Sequence, residues 1–163
     1  MERSAGLELL GAAEGWRRPL RRFNGAGLPV VFSPRGTEVA YGDAAWRIGR
    51  LWRAALDGAG EAKLLLAKAD AALIPCGWSG GGEILFWEDP DFSKSVKADG
   101  LPLFRVAALG GEARPLGVVT LVHDDVISWA PGRHKLAVRV VGGNSGKENA
   151  SRPSGCRWAR SPS

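Results

Sequence analysis

The chain has 163 residues, of which 45% are hydrophobic and 24% charged, and this excludes a disordered or fibrous protein and fits one folded domain. Its 23 Gly and 10 Pro favour short strands joined by tight turns over long helices. Four of the five net positive charges lie from Arg139 onward, so the rest of the chain is near neutral and we expect no nucleic-acid binding.

The sequence carries no signal for a membrane span or for a compartment. No stretch approaches the ~20 apolar residues that a span requires, and the first residues lack the apolar run of a secretory signal. The two cysteines, Cys76 and Cys156, have no spacing typical of a disulfide framework or a metal site. We predict no cofactor.

A first short pattern recurs along the chain. It consists of an aromatic residue, a small-residue turn and an apolar triplet, and it begins at Phe32, Trp78 and Trp129, which are 46 and 51 residues apart. Periods of ~20 to 50 residues are typical of propellers and solenoids. The pattern therefore indicates a repeat protein.

A second pattern keeps nearly the same spacing. A glycine turn followed by a basic residue and a leucine begins at Gly15, Gly60 and Gly111, which are 45 and 51 residues apart. Two unrelated patterns share their offsets, which indicates a true repeat. A third recurrence, Leu51 to Gly58 and Phe104 to Gly111, lies between them, so we interpret one unit as four short strands.

The first complete unit is predicted to hold strands at Leu28 to Phe32, Glu38 to Tyr41, Arg50 to Leu56 and Ala62 to Leu66. In the second unit we predict strands at Leu73 to Trp78, Glu83 to Trp87, Leu103 to Leu109 and Ala113 to Leu116. A helix from Ala54 to Leu73 is the alternative, since Ala, Leu and Lys are good helix formers, but Asp57 to Gly60 would break it.

The pattern resembles the blade of TolB-like β-propellers, which has an aromatic-Ser-Pro-Asp-Gly turn, an apolar triplet and a Gly-Gly-Glu-x-x-x-Leu-Thr close. The best matches are Phe32 to Tyr41, Trp129 to Val138 and Gly110 to Leu116. The turn Asp is Arg35 in one copy and absent from the others, which predicts looser turns. The structural repeat positions are Phe32, Pro34, Gly36, Trp78, Ser79, Gly82, Trp129, Pro131 and Gly132.

The predicted fold class is therefore all-β, an incomplete β-propeller of antiparallel four-stranded blades, about two and a half to three in number. Residues 1–14 would be the remnant of a preceding blade, 15–141 the blades and 142–163 a disordered tail. The three repeat aromatics are expected to fill the space between adjacent sheets. Because propellers need about four to eight blades to close, we expect a fragment of a larger propeller or an association of several chains.

One segment, Gly77 to Gly81, matches the nucleophile elbow G-x-S-x-G of serine hydrolases. An elbow needs a helix after the serine, but Glu83 to Trp87 reads as a strand, and Ser79 coincides in register with Ser33 and Ala130. We expect a turn here and no catalysis. The partners that a triad would require could be drawn only from His123, His134, Asp124 and Asp125.

An acidic group in the longest insertion of the repeat offers oxygen ligands for a hard cation. It comprises Glu88, Asp89, Asp91 and Asp99, and it lacks the alternation and glycine of a calcium loop. We expect a solvated loop, which is also where a partner-contacting surface would most naturally lie.

The sequence favours a non-catalytic scaffold that binds a protein, a ligand or further propeller blades. The alternative is the gating propeller of a serine peptidase of the prolyl oligopeptidase type, which would need a separate hydrolase domain. The resemblance also implies relatives that are often exported or periplasmic, although no compartment follows for this chain.

Overall fold

The computed structural model describes residues 4–11, 13–24, 26–57, 60–90, 92, 100–120, 127–129, 135–138 and 157–160. All regular elements within these ranges are strands, and the helix considered for Ala54 to Leu73 is wrong, because a strand pair lies there. The strands are β1 (Ser4–Leu10), β2 (Arg17–Asn24), β3 (Ala26–Phe32), β4 (Glu38–Ala45), β5 (Ile48–Ala55), β6 (Lys63–Ala69), β7 (Ala72–Trp78), β8 (Glu83–Asp89), β9 (Leu101–Ala107), β10 (Arg114–Thr120), β11 (Ile127–Trp129), β12 (Lys135–Val138) and β13 (Arg157–Arg160).

Two four-stranded antiparallel sheets form the centre of the chain. Blade 1 has the order β3-β4-β5-β6 and blade 2 the order β7-β8-β9-β10, so each sheet is a simple meander in which consecutive strands pair. The hairpin β1-β2 precedes them, and a three-stranded sheet β11-β12-β13 follows. The predicted all-β class with antiparallel four-stranded sheets is confirmed.

The hairpin β1-β2 has the register of the two outer strands of a blade. Leu9 lies opposite Arg18, as Arg53 lies opposite Lys63 in blade 1 and Arg105 opposite Arg114 in blade 2. The basic residue of the second sequence pattern thus occupies the same position in three successive fourth strands. β1 and β2 therefore correspond in register to the third and fourth strands of blades 1 and 2.

The main apolar core lies between the two blades. Strand β7 of blade 2 contacts β3, β4 and β5 of blade 1. Alternate side chains of each strand point to opposite faces of its sheet, so one set faces the neighbouring blade. Each large apolar side chain fully buried there stabilises the fold by about 1.5 to 3 kcal/mol relative to exposure. The buried members of this inter-blade core are Ala40, Leu51, Leu65, Leu73, Trp78, Ile84, Phe86, Val106 and Ala108.

The opposite face of blade 2 holds a second cluster, which includes Ile74, Leu85 and Leu103. Trp87 belongs to it, and its indole N–H donates to the hydroxyl of the fully buried Thr120 at 2.6 Å. This bond joins β8 to the outermost strand β10. Blade 2 is therefore apolar on both faces, as expected for a blade enclosed between two neighbours.

The aromatic residue of the first pattern is packed differently in the two blades. Trp78 is only 8% exposed in the inter-blade core, whereas Phe32, at the same register position, is 57% exposed. The expectation that Phe32 fills the space between adjacent sheets is wrong here, because its side chain is largely exposed. The side chain of Trp129 lies outside the described residues.

Part of the predicted disordered tail, residues 142–163, is placed in a strand. Residues Arg157–Arg160 form β13, which pairs antiparallel with β12, and Leu136 lies opposite Ala159. The other residues of that predicted tail lie outside the described ranges.

The connection between the blades passes close to a glycine of blade 1. A Cβ atom added to the buried Gly49 would lie 2.1 Å from the main-chain oxygen of Ala71, which directly precedes β7. We predict that Gly49→Ala lowers the free energy of unfolding by about 1 to 3 kcal/mol, the usual cost of overpacking. Urea unfolding measures this value.

The matched control for that measurement is Gly80→Ala, since a Cβ atom at Gly80 meets nothing within 4 Å. Its effect should stay within about 0.5 kcal/mol, as for most surface substitutions. Equal losses in the two variants would contradict the close approach of the blades at Gly49.

Candidate binding cleft between the blades

A serine ties the turn that joins the first and second strands of each blade. In blade 1, the Ser33 hydroxyl accepts the main-chain N–H of Glu38 at 3.1 Å and that of Thr37 at 3.3 Å. The Gly36 N–H donates to the Ser33 carbonyl at 2.8 Å, with Gly36 at a φ of 66°, which favours glycine. A serine hydroxyl that accepts from a following main-chain N–H is a recurrent way to close a turn.

Ser79 makes the same turn in blade 2. Its hydroxyl accepts the Glu83 N–H at 3.0 Å, the residue is 2% exposed, and Gly82 has a φ of 78°. Strand β8 begins at Glu83, so a strand rather than a helix follows the serine. The G-x-S-x-G segment is therefore a blade turn and lacks the geometry of a nucleophile elbow.

The turn is not held by the Asp of the TolB-like pattern. The serine hydroxyl bonds to the first residue of the second strand in both blades, and Arg35 at the Asp position is exposed. From the missing Asp we predicted looser turns, and we assigned no role to the hydroxyls of Ser33 and Ser79. Their common register position was the signal that could have identified them.

An ion pair repeats beside each of these turns. Arg53 on β5 donates to Glu38 at 2.7 Å in blade 1, and Arg105 on β9 donates to Glu83 at 2.9 Å in blade 2. The carboxylates are the residues whose N–H groups bond to the serines. The turn and the ion pair thus fix the same end of each blade.

Basic side chains also join each blade to the next one. Arg18 on β2 donates to the Asp57 carbonyl of blade 1 at 3.0 Å, and Lys63 on β6 donates to the Leu109 carbonyl of blade 2 at 2.6 Å. Arg53 adds a bond to the Ala108 carbonyl at 3.1 Å. The second sequence pattern therefore encodes a contact between blades, which periodicity alone did not reveal.

Arg53 and Ala108 border an open cleft of about 580 Å³ between the ends of blades 1 and 2. We call it the turn-end cleft. Its walls are the two serine turns and the β9-β10 turn, where Leu109 is 74% exposed. A cleft of about 570 Å³ lies at the corresponding place between the hairpin β1-β2 and blade 1. The repeat thus generates one such cleft at each blade boundary described.

The other candidates from the sequence do not form a site within the described ranges. Glu88 pairs with Lys68 at 2.6 Å and Asp89 is fully buried, while Asp91 and Asp99 lie outside the description. No group of three or more His, Cys, Asp or Glu residues able to hold a metal is found among the described residues. The triad partners considered for Ser79, at positions 123–125 and 134, also lie outside them, as do Pro131 and Gly132.

Cys76 on β7 is a free thiol. Burial raises the pKa of this thiol well above its ordinary value, because an apolar surrounding disfavours the thiolate. The thiolate is the reactive form of cysteine, so Cys76 is held in its unreactive state.

Within the part of the chain that the structure describes, no helix has the length and apolar character needed to cross a membrane.

Together, the meandering four-stranded sheets, their shared faces and the repeated turn contacts define the blades of a β-propeller. Among solved structures, one assigned as TolB from Agrobacterium tumefaciens matches 68% of this chain with a TM-score of 0.56 and 14% identity. TolB from Acinetobacter baumannii matches 87% of it with a TM-score of 0.51 and 14% identity. The chain has a TolB-like propeller fold, which confirms the resemblance seen in the sequence at the level of the fold.

The chain spans only 40% and 36% of the lengths of these two structures. No family model and no curated protein matches its sequence.

The role of Ser79 can be tested by removing its hydroxyl. We predict that Ser79→Ala lowers the free energy of unfolding by about 1 to 3 kcal/mol, because the partly buried Glu83 N–H loses its acceptor. Ser33→Ala, the matched variant in blade 1, should behave in the same way. Wild-type protein should not react with a fluorophosphonate probe, and labelling that disappears in Ser79→Ala would overturn this assignment.

Proposed function

We propose that this chain acts as a non-catalytic scaffold in a β-propeller and that it binds a segment of a partner protein in the turn-end cleft. The proposal rests on one observation: polar side chains of the cleft are engaged in hydrogen bonds and ion pairs within its own walls. The hydroxyls of Ser33 and Ser79 tie turns, and the Arg53 guanidinium bonds to Glu38 and to the Ala108 carbonyl. These groups fix the shape of the cleft walls. We therefore expect the cleft to bind a partner and not to catalyse a reaction.

The remaining surface of the cleft suits an extended protein segment. Leu109 is 74% exposed and offers apolar contact, Arg35 offers positive charge, and the backbone of Gly80 to Gly82 is accessible at the rim. Pockets for small molecules are concave and bury roughly 70 to 90% of their ligand. The turn-end cleft is open to solvent along its side, which favours a polypeptide over an enclosed small ligand.

The proposed scaffold includes further blades of the same propeller. Further blades are partners of this chain in the proposal, since Val30 and Phe32 on blade 1 are exposed and propellers close with about four to eight blades. A role as the gating propeller of a serine peptidase remains an untested prediction from the sequence. No observation on the described residues favours it over the scaffold.

The proposal can be tested with peptides selected from a random displayed library on the purified wild-type chain. Binding of the selected peptides, measured by fluorescence anisotropy, should weaken at least about ten-fold in Leu109→Asp, because burial of a leucine is worth roughly 1.5 to 3 kcal/mol. Leu109 is exposed, so the fold should persist in this variant.

Trp46→Ser is the matched control. Trp46 is 87% exposed in the β4-β5 turn, at the opposite end of the strands from the turn-end cleft, and peptide affinity should not change there. Failure to select any peptide, or peptides that respond to Trp46→Ser and not to Leu109→Asp, would contradict a binding role for the cleft.

A further inference from the structure

The cleft between the hairpin β1-β2 and blade 1 differs in chemistry from the turn-end cleft, and we call it the hairpin cleft. Its volume of about 570 Å³ lies within the range of roughly 300 to 1,000 Å³ that ligand sites occupy. The turn-end cleft is open although both of its blades have four strands, so further strands beside β1 would border the hairpin cleft without filling it. The lining residues are Leu9, Trp16, Arg18, Thr37, Leu56 and Asp57.

Two lining residues of the hairpin cleft depart from the repeat. Leu9 occupies the register position of Arg53 and Arg105, whose guanidinium groups form the ion pairs beside the serine turns. Trp16 occupies a position that is glutamate in both later copies of the second sequence pattern. Each departure replaces a charged residue by an apolar one, and both line the same cleft. Positions that break a regular pattern are often functional, so the hairpin cleft is a candidate site of its own.

The indole ring of Trp16 is held in one orientation. Its N–H donates to the Glu14 carboxylate at 2.6 Å, and a Cβ atom added at Gly11 would overlap the ring, which therefore rests against a residue without a side chain. Trp16 is nevertheless 43% exposed. An aromatic surface that is already fixed loses little conformational entropy on binding, and tryptophan is enriched among the residues that contribute most to binding.

Arg18 supplies a hydrogen-bond donor that has no acceptor in the part of the chain that the structure describes. Its Nη1 donates to the Asp57 carbonyl at 3.0 Å, whereas its Nε is buried and unpartnered. Buried donors without an acceptor are unfavourable and rare in folded proteins. Because Arg18 lines the hairpin cleft, a ligand with a carbonyl oxygen can supply this acceptor.

The charges at the hairpin cleft favour a neutral ligand. Arg18 contributes one positive charge, and the carboxylates of Asp57 in the wall and Glu14 beside the indole contribute two negative charges. A free carboxylate would meet net repulsion there, whereas an amide carbonyl would not. An aromatic residue within an extended polypeptide has the required apolar ring and a neutral main-chain carbonyl next to it.

We propose that the hairpin cleft binds an aromatic residue of an extended polypeptide. The aromatic ring packs against Trp16 and Leu9, and the adjacent main-chain carbonyl accepts the Arg18 Nε–H. At the turn-end cleft, the position of Leu9 is Arg53 and that of Trp16 is Glu61, so this preference for an aromatic residue belongs to the hairpin cleft. The site is separate from the turn-end cleft and does not depend on binding there.

The test uses the full-length chain and N-acetyltryptophanamide as the probe, since it is a neutral aromatic residue with amide carbonyls. Ligand-observed NMR titration measures its affinity, and the indole N–H signal of Trp16 in ¹⁵N-labelled protein should shift until it saturates. Trp16→Glu introduces the residue type of the other repeats, so the fold should persist, and affinity should fall at least about ten-fold. Glu61→Gln, the matched control at the corresponding position, should leave affinity unchanged.

Arg18→Lys separates the carbonyl bond from the packing of the ring. A lysine can keep the bond to the Asp57 carbonyl, as Lys63 bonds to the Leu109 carbonyl, but it has no Nε–H to offer the ligand. We expect the affinity for N-acetyltryptophanamide to fall about ten-fold, as for loss of a charge-assisted hydrogen bond. The affinity for 3-methylindole, which has no carbonyl, should stay the same.

Leu109→Asp should not change the affinity for the probe, so failure of the turn-end cleft and failure of the hairpin cleft are distinguishable. Absence of saturable binding, unchanged affinity in Trp16→Glu, or equal effects of Arg18→Lys on N-acetyltryptophanamide and 3-methylindole would each overturn the proposal.

Discussion

The structure depends on one requirement, which is that both faces of a blade must be covered by neighbouring blades. A four-stranded sheet whose two faces are apolar cannot remain exposed to water, and blade 2 has buried apolar clusters on both faces. Blade 1 meets the requirement on the side of blade 2. On its other side strand β1 contacts β3, and there Tyr41 is buried while Phe32, on the neighbouring inner strand, is exposed.

The polar contacts at the strand ends serve the same requirement. Covering a sheet face stabilises the fold only if the neighbouring sheet is held in one orientation, and apolar contact alone is not directional. The serine turns fix the first two strands of each blade, and the bonds from Arg18 and Lys63 to carbonyls of the next blade fix the distance between blades. The turn-end cleft is the space that these fixed blades enclose at their boundary, so its shape is a consequence of the stacking itself.

Much of the fold could be predicted from the sequence because the repeat is visible in residue types. Phe32, Trp78 and Trp129 were aligned correctly by their spacing, and the observed registers place them at one position. The exposure of Phe32 could not be predicted from the repeat, since Trp78 at the same register position is buried. The inter-blade bond of Lys63 was also missed, because its acceptor is a main-chain carbonyl at Leu109 that any residue type provides. Strand β13 was missed because the tail composition is typical of disorder.

We infer that blades 1 and 2 are one cooperative unit built on the shared inter-blade core. Native-state hydrogen exchange tests it most directly, because amides that open together share one opening free energy. We expect equal protection for the amides of β4 and β5 in blade 1 and of β7 and β8 in blade 2, and a parallel loss in both blades for Gly49→Ala. Protection that differs between the blades, or a loss confined to blade 1 in that variant, would contradict it.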